Sequence, residues 1–323
     1  MTRAPRLLKT LLLSGLTAFA TLAAAQSYPD KAVRMVVGMA PGGSNDTIAR
    51  MISAELTKAM GQPVVVENRP GANSVIATTE IAKARPDGHS LMLVISSHVT
   101  NTLLYPNLNY KLSDFAPVSV IADTPFLLIA NPKFAPNTVQ EVIKLAKDSN
   151  GAVDFGSPGL GSTQHISLEL MNQLAGVRMN HIPYKGGAPA QADLLAGVIP
   201  LIFATPTQSL PMLQDGRLKA IAVTSTKRLP QLPNVPTIAE SGLPGYDATV
   251  WFGVVAPAGT PKPVIETLNR HITAIVKRPD IQAQLEKMGL NPVASTPEAF
   301  QQLLDSELKK WSEVIKTSGL KLE

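Results

Sequence analysis

Short apolar runs rich in β-branched residues alternate along the chain with longer stretches in which apolar positions recur every three or four residues. The short runs are typical of buried strands and the longer stretches of helices that bury one face. Residues 33–39 form the first such run, and the stretch 46–60 after it places Ile48, Ile52 and Leu56 on one helical face. The alternation predicts an α/β fold in which helices flank largely parallel sheets.

The alternation occurs twice, and turn-rich stretches at 117–125 and 229–244 flank the second occurrence. We interpret these flanks as the places where the chain crosses between two domains and returns. The sequence therefore predicts a signal segment at 1–25, a first domain built from 26–124 and 247–323, and a second domain at 125–246. The C-terminal helices are expected to pack on the first domain.

The first 25 residues have the features of a secretory signal peptide. Arg3, Arg6 and Lys9 precede an apolar stretch at 10–22, and three alanines at 23–25 supply the small residues preferred before a cleavage site. The apolar stretch is shorter than the roughly 20 residues of a membrane-spanning helix. We expect cleavage near Ala25, before Gln26, and export to the periplasm.

Composition narrows the function further. Without the three basic residues of the signal segment, the 29 Lys and Arg become 26 against 24 acidic residues, a net charge of +2 that argues against a nucleic-acid partner. The chain contains no cysteine, which excludes disulfides and thiolate metal sites. No histidine pair has the spacing of metal ligands, so no metal is expected. No cofactor is expected either.

Two glycine-rich turns each follow a predicted strand and precede a predicted helix, at 40–46 and at 156–163. Unpaired N–H groups at a helix N-terminus attract anions, and glycine allows a ligand oxygen to approach them closely. Neither turn matches a Walker or dinucleotide fingerprint. Asp46 has an alternative role, since an acidic residue in a first helical turn stabilises the helix without any ligand.

Two further segments are candidates for ligand contact. Lys185, in the turn at 183–189, could offer a positive charge or could be a solvated loop lysine. Ser97 and His98 follow the third strand, where ligands of open α/β sheets bind, although hydroxyl groups there can equally cap a helix.

A hydrolase is a less favoured alternative. Ser157 or Ser162 could act as a nucleophile with His165 as its base. However, no acidic partner is evident, and a serine at a helix start more often caps the helix. The sequence therefore favours a protein that is not an enzyme.

The chain resembles the periplasmic solute-binding proteins of tripartite tricarboxylate transporters, also called the Bordetella uptake gene (Bug) family. The matching segments run through nearly the whole chain: YPDK at 28–31, PGGSND at 41–46, AR at 49–50, VENRPGA at 66–72, PDG at 86–88, HIPYKG at 181–186, DLL at 193–195, LPNVPT at 232–237, GLPGY at 242–246, WFG at 251–253 and APAGTP at 256–261. The resemblance implies a two-domain type II periplasmic-binding-protein (Venus flytrap) fold without catalytic residues.

In this family, a small organic acid is held between the two domains. Carried onto this sequence, the resemblance implies ligand contacts from Gly42, Gly43, Ser44, Asn45, Asp46, Ser97, His98, Ser157, Gly161, Ser162, His165, Lys185, Gly186, Gly187 and Thr205. The sequence does not distinguish dicarboxylates, tricarboxylates, aromatic acids and acidic amino acids.

The resemblance further implies a monomeric receptor that delivers a carboxylate to the membrane components of a transporter. A receptor that presents its ligand to a sensor kinase is the alternative, and the sequence does not separate the two.

Overall fold

The structure, a computed structural model, describes residues 28–320. The predicted signal segment and its cleavage site lie outside these residues. The strands are β1 Val33–Val37, β2 Val64–Asn68, β3 Ser90–Ile95, β4 Phe115–Pro125, β5 Leu127–Ala130, β6 Asp154–Ser157, β7 Asn180–Pro183, β8 Leu201–Ala204, β9 Lys219–Val223, β10 Thr249–Pro257 and β11 Asn291–Pro292. The helices are α1 Ser44–Met60, α2 Val75–Ala82, α3 Ser97–Leu104, α4 Val139–Asp148, α5 Thr163–Ala175, α6 Gly187–Ala196, α7 Pro206–Gln214, α8 Lys262–Val276, α9 Pro279–Lys287 and α10 Pro297–Ser318.

The strands form two sheets. The first has the order β11-β4-β10-β3-β1-β2, and the second has the order β7-β6-β8-β5-β9. Apolar residues from strands and helices of both units fill the interior, including Trp251 and Phe155. The predicted α/β fold, with helices flanking two sheets, is confirmed.

Both sheets are mixed, whereas the sequence pattern predicted largely parallel sheets. In the first sheet β1 pairs in parallel with β2 and β3, and β10 runs antiparallel to β3 and β4. In the second sheet β6 pairs in parallel with β7 and β8, and β5 runs antiparallel to β8 and β9. Parallel pairs occur where a helix links successive strands. The antiparallel strands β10 and β5 follow directly after the chain has crossed from the other sheet.

The stretch at 117–125 was predicted to be a turn-rich crossing between domains, but in the structure it lies within the long strand β4. Two prolines suggested a loop, but β4 accommodates them. β11 pairs with β4 only at Ala122 and Asp123, so that side of β4 carries no strand at Pro117. Proline is tolerated in a strand where its missing N–H faces no partner.

The chain crosses between the sheets at two places that lie side by side. Phe126 alone separates β4 from β5, and residues 224–248 lead from β9 back to β10. Thr224 joins the two crossings: its Oγ1 accepts from the Phe126 N–H at 2.7 Å, and its carbonyl accepts from the Ala248 N–H at 3.0 Å. These bonds fix the crossings next to the space between the sheets.

The C-terminal helix α10 connects the two units. Apolar residues recur along it every three or four positions: Phe300, Leu304, Trp311 and Ile315 are buried, and Leu308 packs at the margin. It contacts β4 and α3 in the first unit, but it also packs on α5 in the second, which the sequence did not indicate. The sequence predicts Thr260 as the N-cap of α8 with Pro261 as its first residue, but in the structure Pro261 is the N-cap and Lys262 is the first residue.

Helices α3 and α7 were not predicted, because their serine, threonine and proline content is typical of loops. Within residues 28–320, no helix is both long enough and apolar enough to cross a membrane.

Candidate functional site

A cavity of about 290 Å³ lies between the two sheets and is bordered by the crossings. Larger hollows of about 440, 380 and 360 Å³ exist elsewhere, but they are not lined by strand and turn residues of both units. The cavity between the sheets is lined by Met39, Gly43, Ser44, Asn45, Asn73, Ile95, Phe126, Pro158, Ser162, Thr163, Gln164, Gly187, Thr205, Gln208, Val250 and Phe252. None of these residues is charged.

Four helices begin at this cavity. Gly43, Ser162 and Thr205 are the N-cap residues of α1, α5 and α7, and Gly187 is the first residue of α6. The first N–H groups of a helix have no partner within it and carry the positive end of its dipole. Helix N-termini from both units therefore give an uncharged cavity a preference for an anion.

The cavity lining also contains apolar residues between the helix N-termini. Ile95 ends β3, Val250 and Phe252 lie in β10, and Phe126 lies at the crossing. The cavity therefore suits a ligand that combines an anionic group with an apolar part.

In the first glycine turn, Asp46 fixes the loop through hydrogen bonds. Its carboxylate accepts hydrogen bonds from the Gly42 N–H at 3.0 Å, from Arg50 Nε at 3.0 Å and from Asn68 Nδ2 at 3.0 Å. The hydrogen bond from Arg50 is the main reason that the pKa of Asp46 is lowered to about 2. Asp46 is thus ionised, fully engaged within the protein and absent from the cavity lining.

In the second glycine turn, Ser162 caps α5. Its Oγ accepts from the His165 N–H at 3.3 Å and donates to the Gly159 carbonyl at 2.8 Å. The Gly161 N–H donates to His165 Nδ1 at 3.1 Å. His165 is buried and lies behind the turn, so of these residues only Ser162 reaches the cavity.

Ser157 pairs with His181, not with His165. Ser157 Oγ lies 2.6 Å from His181 Nε2, and the His181 ring stacks on the His165 ring at a centroid distance of 3.6 Å. Burial lowers the pKa of His181 to about 4 and that of His165 to about 3, with a further contribution to His165 from His181. Neutral stacked imidazoles beneath the turn act as its support.

Ser97 and His98 lie in the first turn of α3, and neither lines the cavity. His98 is buried against apolar residues, with its ring 4.7 Å from Phe115 in an edge-to-face arrangement. Neither ring nitrogen has a hydrogen-bond partner among the described residues, and burial lowers the pKa of His98 to about 4.

The fifteen predicted contact residues thus divide into two groups. The cavity is lined by Gly43, Ser44, Asn45, Ser162, Gly187 and Thr205. The residues outside its lining are Gly42, Asp46, Ser97, His98, Ser157, Gly161, His165, Lys185 and Gly186, of which Lys185 is exposed on the surface.

Sequence reasoning missed ten lining residues. Pro158 and Thr163 lie within the glycine-rich turn at 156–163 and Gln164 follows it, so that turn already indicated them, and Met39 is the last residue of the first predicted strand. The remaining six are Asn73, Ile95, Phe126, Gln208, Val250 and Phe252. Gln208 lies in α7, which was not predicted, and Asn73 precedes α2, so neither had a local signal.

A comparison with protein families decides the identity. The family described as "Tripartite tricarboxylate transporter family receptor" matches residues 48–320. The chain belongs to this receptor family.

Individual relatives agree with this assignment. Protein BugT of Bordetella pertussis is 38% identical over 302 residues, which cover 93% of each chain. The structure of an R. palustris protein with adipate has a TM-score of 0.84 at 36% identity and covers 91% of this chain and 99% of its own. The periplasmic binding protein BugD has a TM-score of 0.81 at 35% identity and covers 92% and 100%. The resemblance inferred from sequence motifs is confirmed, and the receptor belongs to a family of binding proteins.

Proposed function

We propose that this receptor is exported to the periplasm, binds a small organic carboxylate in the cavity between the sheets and delivers it to the membrane components of a tripartite tricarboxylate transporter. The receptor acts as a monomer, performs no catalysis and requires no cofactor. The observation that carries the proposal is the convergence of four helix N-termini, from both units, on one uncharged cavity.

The two units act as domains 26–124 with 247–323, and 125–246. Two neighbouring crossings join the units, α10 contacts both, and Thr207 and Gln231 of the second unit donate to the carbonyls of Met288 and Glu286 in the first. A ligand that contacts both units therefore favours the closed arrangement. Adipate in the R. palustris relative supports a carboxylate as the ligand class. Neutral donors suffice for such a ligand, since hydrogen bonds to a charged group contribute about 1.5–3 kcal/mol each.

The ligand contacts are assigned to the six predicted residues that line the cavity. Asp46, Gly42, Gly161, His165 and Ser157 hold the two turns that present them. This division separates residues whose exchange alters affinity from those whose exchange alters stability.

The proposal is tested by isothermal titration and thermal unfolding with mono-, di- and tricarboxylates, aromatic acids and acidic amino acids. The protein is first unfolded and refolded to remove any bound ligand. A ligand that binds only the folded state raises the unfolding temperature, and we expect one class of acid to do so. Recovery of that acid unchanged after prolonged incubation supports a receptor, whereas a product supports an enzyme.

Gly187→Leu locates the site. A Cβ at Gly187 would make only ordinary contacts, 3.8 Å from Gln208 Oε1 and 4.0 Å from Pro158 Cγ, so a leucine extends into the cavity without a clash at its base. We expect a loss of affinity of about 100-fold or more. Ala188→Leu, at the exposed next position, is the matched control and keeps the affinity. Normal binding by Gly187→Leu would place the ligand elsewhere.

A further inference from the structure

Three successive residues next to the cavity have an uncommon backbone conformation. Ala72, Asn73 and Ser74 have φ values of 45°, 51° and 74°, in the left-handed region that residues other than glycine rarely occupy. Such a conformation is strained in a residue other than glycine and persists only where the surroundings enforce it, often at ligand sites. Asn73 lines the cavity.

The surroundings of this turn hold it on both sides. The Ser74 hydroxyl donates to the Gly38 carbonyl at 3.2 Å, and Thr78 Oγ1 donates to the Ser74 carbonyl at 2.8 Å. The close approach requires glycine at position 38, because a Cβ there would lie 2.4 Å from the Ser74 Cβ. The backbone of the turn is therefore fixed by β1 and by α2.

The Asn73 side chain is fixed by Asn101 on α3. Asn101 Nδ2 donates to the Asn73 backbone carbonyl at 2.8 Å, and Asn73 Nδ2 donates to Asn101 Oδ1 at 2.9 Å. The first bond determines which end of the Asn101 amide is the donor. Asn101 Oδ1 must therefore be an acceptor, and the atom of Asn73 that faces it must be the donor Nδ2. The remaining atom, Asn73 Oδ1, is an acceptor without a donor among the described residues.

The Asn73 Oδ1 acceptor discriminates between ligands by the group that they place next to it. A hydroxyl or ammonium group can donate to Oδ1, whereas a methyl group cannot and a second carboxylate is repelled by it. A site built to hydrogen-bond a ligand group discriminates strongly against an analogue that lacks it.

The helix N-termini of the second unit attract an anion more strongly than the helix N-terminus of the first unit does. The first turns of α5, α6 and α7, all in the second unit, contain no acidic residue, whereas α1 in the first unit has Asp46 in its first turn. The ligand's carboxylate is therefore favoured on the side of the second unit, and Asn73 lies on the side of the first.

We infer that Asn73 is a specificity-determining residue whose side-chain carbonyl accepts a hydrogen bond from the ligand, so that the receptor prefers a monocarboxylate carrying a hydroxyl or ammonium group over a dicarboxylate of the same length. This inference rests on the proposed carboxylate-binding function.

The test uses two series of acids that differ only at one end. The first comprises hexanoate, 6-hydroxyhexanoate, 6-aminohexanoate and adipate, and the second comprises butanoate, 4-hydroxybutanoate, 4-aminobutanoate and succinate. Affinities are measured by isothermal titration. In at least one series, we expect the hydroxyl or ammonium compound to bind about tenfold or more tightly than the methyl and carboxylate compounds, which corresponds to about 1.4 kcal/mol.

Asn73→Gly removes the acceptor and keeps the turn, because glycine adopts φ near 51° readily. We expect this variant to bind the members of a series with similar affinities. Asn150→Gly is the matched control: Asn150 also has φ of 51° but lies on the surface outside the cavity, and its exchange leaves the selectivity unchanged.

Two results overturn the inference alone. If acids bind but the end group makes no difference, or if Asn73→Gly keeps the wild-type selectivity, Asn73 does not select and the proposed function stands. If no carboxylate binds, in either series or in the wider panel, the proposed function is wrong and the inference falls with it.

Discussion

The two glycine-rich turns have the same internal hydrogen bond but different charge. In the first, the Gly42 N–H donates to a side chain four residues later, the Asp46 carboxylate. In the second, the Gly161 N–H donates to a side chain four residues later, the His165 ring. Gly42 and Gly161 both have positive φ, at 89° and 71°.

The charge difference determines what each turn offers a ligand. Asp46 is ionised and is neutralised by Arg50, whereas His165 is neutral and stacks on His181. A fixed carboxylate at the start of α1 offsets part of that helix's dipole, and no acidic residue does so at the start of α5. Turns with the same geometry can thus differ in their attraction for an anion.

The largest expected effect comes from placing leucine at one glycine of each turn, Gly161 in the second and Gly43 in the first. Gly161 is buried and has φ of 71°, so Gly161→Leu should lower the free energy of unfolding by about 3 kcal/mol or more. Gly43 has φ of −82°, and a Cβ added there would have no neighbouring atom within 4 Å, so Gly43→Leu should fold normally and lose acid binding. Urea unfolding and titration measure the two effects. The contrast is lost if both variants fold equally well and bind equally well.

The turns themselves were predictable because their signals are local. A strand, a glycine-rich segment and a helix follow one another within a few residues, and both turns lie where the sequence predicted them. By contrast, the left-handed turn at Asn73 depends on Asn101 and Gly38, which are distant in sequence. The apolar surroundings of His98 depend on Phe115 in β4, a strand that its prolines concealed. Non-local packing decided these features, and one sequence carries no signal for it.

A smaller expected effect is that the two turns make the free energy of unfolding depend on pH in different ranges. His165 and His181 have folded pKa values of about 3 and 4, below the ordinary value of 6.5. As the pH falls below 6.5, the unfolded chain binds protons that the folded chain excludes, so stability declines toward pH 4. Each proton contributes a slope of up to about 1.4 kcal/mol per pH unit.

Asp46 acts in a lower range. Its folded pKa of about 2 lies below the ordinary 3.8, so its stabilisation is complete above pH 3.8 and is lost as the pH falls toward 2. Urea unfolding from pH 7 to pH 2 should show that His181→Gln reduces the slope between pH 6.5 and 4, and that Asp46→Asn reduces it only below pH 3.8. Identical slopes in both variants and the wild type would contradict this assignment.

The smallest expected effect concerns His98, which belongs to neither turn. The family resemblance implies that it contacts the ligand, but in the structure it is 3% exposed and packs on Phe115 outside the cavity lining. His98→Leu replaces a ring with two unpaired nitrogens by an apolar side chain of similar size. Burying an unsatisfied polar group costs about 1–3 kcal/mol, so the variant should be at least as stable as the wild type at pH 7.

The same variant should bind carboxylates with an affinity within about twofold of the wild type, since His98 does not line the cavity. It should also lose stability less steeply between pH 6.5 and 4, because the folded pKa of His98 is about 4. A large loss of affinity with unchanged stability would show that α3 moves His98 to the ligand on closure. In that case the cavity of the ligand-bound protein would extend beyond the two glycine turns to the end of β3.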